Sequence, residues 1–240
     1  MKKQVIQKKS FNKKPGFTLV EVAIAIGMMA VMISSFMVVF GPSIKGIDKS
    51  LSAKAADRLT GALELELSVL RNGETYATTF DKSFLWIQQS GTKATAVLTY
   101  QYRGNLAVAP NPDGTLQPYT GSGTPGNAYV LQTAVRRLNN PLIQDELDPG
   151  VLEGKVYYVK MTQLIYNATG EMVLGTAGEI KDVQPPNTTR DSSALYADAV
   201  IPFQARFYEV KPPLWSYIDA TWSVANVGNP VVTKNMAVMR

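Results

Sequence analysis

The chain contains no cysteine and no histidine. Without cysteine no disulfide forms, and no thiolate serves as nucleophile or metal ligand. Without histidine the common Ser–His and Cys–His pairs and the His-ligated zinc sites are excluded. Charge is sparse as well, at 18% of residues against 45% hydrophobic. Lys2, Lys3, Lys8, Lys9, Lys13 and Lys14 account for the net charge of +5, because the remainder holds 18 basic and 19 acidic residues. The body therefore carries no basic stripe interleaved with aromatics, and nucleic acid is not an expected partner. Lysine- and carboxylate-based catalysis lack any positive signal, so no catalytic residue is expected and the chain does not read as an enzyme. Its 240 residues allow one or two domains with a sizeable core.

One long apolar run stands out. Residues 17–40, FTLVEVAIAIGMMAVMISSFMVVF, are apolar or small except for Glu21. As a helix they would extend roughly 36 Å, enough to cross a membrane. The preceding lysines would stay on the cytoplasmic side and place the rest of the chain outside. A carboxylate inside such a span costs on the order of 2.5–3.5 kcal/mol, so Glu21 needs a reason. A cleaved secretory signal has a shorter apolar core and a small-residue site after it. Here the run is too long, and Ser43–Ile44–Lys45 beyond the Gly41–Pro42 break is a poor site of that kind. A plain signal anchor fits the lysines and the length but leaves Glu21 and the boundary Gly16 without a purpose.

The stretch KKPGFTLVEVAIAIG, from Lys13 to Gly27, resembles the amino-terminal signal of the type IV pilin and pseudopilin superfamily. The resemblance covers residues 13–40. Its parts are the basic Lys13–Lys14–Pro15, then Gly16, Phe17, and a glutamate four residues further on at Glu21. It implies that a prepilin peptidase cuts between Gly16 and Phe17 and methylates the new amino group of Phe17. It also implies that Glu21 is a filament-packing carboxylate, paired with the terminal ammonium of a neighbouring pilin subunit. A buried charge needs such a partner, and the pairing would set axial register as buried polar groups do in coiled coils.

Past the run, Gly41–Pro42 predicts a kink or local unwinding, since proline removes a helix donor and crowds the preceding turn. The helical pattern then resumes. Ile44, Ile47, Leu51, Ala55, Leu59, Leu63, Leu67 and Leu70 form one stripe at spacings of three and four. Asn72–Gly73 is the stop signal. The whole helix, 17–71, would be roughly 80 Å long.

From about residue 75 the pattern changes to short β-branched and aromatic runs separated by turn signals. Residues 84–89, 95–104, 128–138, 155–166, 171–175, 199–210 and 220–227 read as strands. Asn167–Gly170 reads as a hairpin turn between the fourth and fifth of them. Residues 109–127 and 176–194 read as surface loops. Asn111 and Asp113 give the first loop a faint calcium-loop look, and Asp145–Asp148 is an acidic cluster of the kind a divalent ion takes. A turn and a solvated loop are the simpler readings, so no metal or cofactor is assigned, with calcium as the one candidate.

The expected fold class is α+β: a pilin-like long N-terminal helix, transmembrane in its first half, packed on a largely antiparallel β-sheet domain. The expected divisions are a leader (1–16), a membrane and filament-core helix (17–40), an amphipathic continuation (41–73) and a β-rich periplasmic or extracellular domain (74–240). The resemblance implies a structural subunit of a type II secretion pseudopilus or a type IV pilus. Two long excursions and the ending FQARFYE, Trp215, Trp222 and KNMAVMR are similar to J-type minor pseudopilins. The implied partners are the prepilin peptidase, other pilin or pseudopilin subunits and the inner-membrane assembly platform. The other reading is a single-pass, membrane-anchored periplasmic binding domain for a sugar or peptide.

Overall fold

A computed structural model describes residues 18–240. The chain divides into two compact units at Asp48/Lys49, and the helix α1 (Leu19–Leu67) contributes to both. In the first unit the helix from Leu19 to Val38 has a mean hydropathy of 2.1, and none of its residues is buried. It is long and apolar enough to cross a membrane. The backbone stays helical through Gly41–Pro42, so the unwinding expected there does not occur.

The second unit starts with the rest of α1 and continues with α2 (Thr79–Gln89). There follow β1 (Val97–Asn105), β2 (Gln117–Pro118), β3 (Tyr129–Arg137), α3 (Ile143–Glu146), β4 (Leu152–Tyr166) and β5 (Met172–Leu174). The chain ends with β6 (Val200–Val210), α4 (Trp215–Ala220) and β7 (Val232–Met239). The long strands lie in the order β3-β1-β4-β6-β7, every pairing antiparallel, with β2 beside β1 and β5 beside β4. The fold is therefore α+β with an antiparallel sheet. The hairpin at Asn167–Gly170 forms as the turn signal predicts: Asn167 Oδ1 accepts from the N–H of Thr169 and Glu171, and Gly170 takes φ +80°.

Strand alternation puts two cores on the sheet. Tyr157, Val159 and Met161 of β4 and Phe203, Ala205 and Phe207 of β6 face α1 and α2. Val156 and Tyr158 of β4, Tyr208 and Val210 of β6, and Leu98, Tyr100 and Tyr102 of β1 face the other way, toward Leu147, Ile218 and Trp222. Tyr158 centres the second core. Its ring meets Trp222 edge-on at 5.2 Å and stacks on Tyr208 at 5.8 Å, and its hydroxyl donates to the Ser90 carbonyl at 2.7 Å.

Four sequence expectations are corrected. Residues 84–89 belong to helix α2 and not to a strand. Thr78 and Asp81 form a reciprocal capping box at its start, and Phe80, Phe84 and Ile87 are buried at spacings of four and three. Residues 220–227 form no strand either. Both neighbours of β6 are already taken, by β4 and β7, and Trp222 anchors the segment under the sheet instead. Helix α1 ends at Leu67, short of Arg71, and side chains of α2 bond the carbonyl of its last residue and one just beyond it. Ser83 Oγ donates to Leu67 O at 3.0 Å and Lys82 Nζ to Val69 O at 2.9 Å. Finally, the buried face of α1 is rotated from the predicted stripe. Leu59, Leu63 and Leu67 are buried, but Ile47 and Leu51 are exposed while Ser52 and Ala56 turn inward. There the Tyr157 hydroxyl of β4 donates to Ser52 O at 3.1 Å.

Candidate functional site

Gly16 and Phe17, the expected cleavage and methylation positions, lie outside the described residues. Glu21 is described, and its surroundings are local. Glu21 Oε2 accepts from Thr18 N at 2.8 Å and from Thr18 Oγ1 at 2.9 Å, while Glu21 N donates back to Thr18 Oγ1 at 3.2 Å. This is the reciprocal pattern of a capping box, with Thr18 preceding the first helical residue Leu19 and Glu21 in its third position. The sequence signal for it is T-x-x-E before an apolar run, at Thr18–Glu21. The carboxylate also sits where the helix dipole favours negative charge. Among the described residues Glu21 Oε1 has no hydrogen-bond partner.

The rest of the span satisfies its polar groups within itself. Ser34 Oγ donates to Ala30 O at 2.8 Å and Ser35 Oγ to Val31 O at 2.9 Å. Back-bonding of this kind lets hydroxyls sit in an apolar medium without an outside partner. Phe36 and Phe40 stack one helical turn apart with ring centroids at 4.1 Å.

Polar chemistry in the second unit gathers at one end of α2 and β3. Lys82, fully buried, pairs with Glu66 at 2.7 Å and Glu74 at 2.9 Å, and its third donor goes to Val69 O. Arg71 grips the same Glu66 through Nε and Nη2 at 2.7 and 2.6 Å. Arg136 is buried on β3. Its Nη2 bonds Glu146 Oε1 at 2.6 Å and Thr115 Oγ1 at 2.9 Å, and its Nη1 pairs with Asp113. The Tyr100 hydroxyl adds a 2.6 Å bond to Glu146. Burial and the adjacent Glu146 charge together push the Tyr100 phenol well above its ordinary value, so it remains a donor. Burial pushes the Asp113 carboxyl up, but hydrogen bonds from Thr115 and Arg136 outweigh it and hold it below its ordinary value.

These contacts engage two of the acidic residues singled out from the sequence, Asp113 and Glu146, while Asp145 and Asp148 are exposed. Asp113 serves a turn, accepting from Thr115 N at 3.0 Å, and closes the Arg136 pair. Glu146, inside the Asp145–Asp148 cluster, points into the protein. Among the described residues no group of three or more acidic side chains stands together in a way that would hold a metal ion. The ion pairs themselves join residues far apart in sequence, which spacing along the chain does not reveal.

The chain matches no family model, no curated protein and no solved structure. Its functional reading therefore rests on its own residues.

Proposed function

We propose that the chain is a pilin-like structural subunit, a minor pilin or pseudopilin of a type IV pilus or a type II secretion pseudopilus. In this reading residues 1–16 are removed by a prepilin peptidase, and the new terminus at Phe17 is methylated. Leu19–Val38 holds the subunit in the inner membrane, with the sheet domain on the periplasmic side, until an assembly platform moves it into a filament.

The observation that carries the reading is the first turn of α1. That turn carries the carboxylate Glu21 at the start of an exposed apolar helix, and in the sequence it directly follows a basic leader and the Gly16–Phe17 boundary. The capping box explains how Glu21 is tolerated in an isolated subunit, since Thr18 satisfies one oxygen. It does not use Oε1. A carboxylate offers about four acceptor positions, so the terminal ammonium of a neighbouring subunit is free to take the second oxygen without displacing Thr18. Local cap and intersubunit pair are then successive uses of one group. No part of this act is catalytic.

Intact mass of the mature chain from a host containing the peptidase tests the first step. The expected product begins with a methylated Phe17, and a chain cut elsewhere or left whole would sink the proposal. Glu21→Leu tests the second. The variant should still be processed, yet fail to enter filaments.

A further inference from the structure

Residues of the second unit form a cleft of about 270 Å³ between the end of α1 and the end of β3. Three carboxylates line it, Glu66, Glu74 and Asp113, and each is engaged by Lys82, Arg71 or Arg136. The donors tell a different story. Arg137 also lines the cleft, but its partners are neutral: Nη1 donates to the Tyr76 hydroxyl at 3.0 Å, and Nη2 donates to Gln89 Oε1. No carboxylate pairs with it among the described residues, and its Nε is buried with no partner. Tyr76 Oη accepts from both Arg137 and Trp86 Nε1, the latter at 3.1 Å, so its own O–H is the group left to donate. Asn140 Oδ1 accepts from Leu142 N at 2.9 Å, which fixes the amide orientation and leaves its N–H₂ for the cleft.

A half-desolvated guanidinium without a counter-charge is unfavourable in the free protein, and a bound anion relieves that cost. We infer that this cleft binds a carboxylate, received by the Arg137 guanidinium with Tyr76 and Asn140 as flanking donors. A planar, singly charged carboxylate matches the guanidinium fork. Multiply charged anions are disfavoured because Arg71 and Arg136 are already paired and Arg137 alone supplies an uncompensated charge. The carboxylate comes either from a small free acid or from an acidic side chain presented by another polypeptide. This inference stands on the second unit alone and does not depend on the pilin-like reading.

Trp86 lines the cleft and bonds Tyr76, so its indole N–H reports occupancy. The test uses the ¹⁵N-labelled full chain in neutral detergent, with the Trp86 cross-peak assigned by Trp86→Phe. Acetate and a capped peptide with one glutamate are titrated separately, and sulfate is the dianion control. The expected result is a saturable shift of the Trp86 peak, weakened at least tenfold in Arg137→Gln. A response to both probes assigns the site to small carboxylates, and a response to the peptide alone assigns it to a presented side chain. Arg137→Lys keeps the charge but loses the fork. It should also bind at least several-fold more weakly, and it decides the matter if Arg137→Gln does not fold. The inference is overturned by the absence of saturation with either probe, by unchanged binding in the Arg137 variants, or by sulfate binding as tightly as acetate.

Discussion

The first turn of α1 and the interior of the sheet domain hold their carboxylates by opposite means. Glu21 is exposed and is held by the hydroxyl and amide of Thr18, three residues away. Glu66 and Glu146 are buried and are held by Lys82 and Arg136, at sequence separations of 16 and 10. A local cap forms as soon as the helix does and needs no tertiary structure. A buried ion pair exists only once the domain has closed around it, and it is intolerant of losing either member. Among the described residues the first arrangement leaves one carboxylate oxygen without a partner, whereas the second engages both oxygens of each carboxylate. The same residue type thus serves an interface-ready surface in one unit and a closed interior in the other.

This contrast sets the expected sizes of four effects. Arg136→Ala should be the most damaging, since it strands Glu146 and Asp113. A loss of about 3–5 kcal/mol is expected in urea unfolding of the full chain, while a loss under 1 kcal/mol would show the network to be dispensable. Next comes Leu63→Ala, which opens a cavity between α1 and the sheet and should cost about 2–5 kcal/mol. Val31→Ala in the exposed span should leave the same transition unmoved, and equal effects would erase the distinction between the units. The two caps follow. Thr78→Ala should lower domain stability by about 1 kcal/mol, whereas Thr18→Ala should leave it unchanged and loosen only the first turn of α1, read by amide exchange.

A further effect is on acid sensitivity. The Asp113 carboxyl is depressed in the folded chain relative to its ordinary 3.8. Its stabilisation is therefore complete above that unfolded value and fades as pH falls through the lower folded one. Asp113→Asn should be less stable than the parent at neutral pH and lose less on acidification. Identical pH profiles for the two chains would remove Asp113 from the acid response.

Where the sequence spoke clearly, the reason is local. The apolar span, the alternation in β1, β3, β4 and β6, and the Asn167–Gly170 turn are all set within a few residues of themselves. Helix α2 was equally local but was read from Phe84–Gln89 alone, where aromatic and β-branched content imitates a strand. The cap at Thr78–Asp81, a few residues upstream, carries the correct answer. The inward turn of Ser52 and Ala56 was not legible, because the face of α1 that meets the sheet is a property of the packed pair. Neither were the Lys82–Glu66 and Arg136–Glu146 pairs, nor the Arg137 cleft, all of which depend on which elements meet.

The way α1 ends has a mechanical consequence. Its last carbonyl, Leu67 O, accepts from Ser83, Val69 O just beyond it accepts from Lys82, and Lys82 is itself clamped between Glu66 and Glu74. Tension along the helix axis is therefore carried at that end by short, directional bonds to α2, in addition to the apolar contacts along its side. Apolar surfaces slide under load, whereas an ionic clamp of this kind resists until it fails. Any force that draws on the helix is passed on to α2 and, through Ser90 and Met161, to the central strand β4.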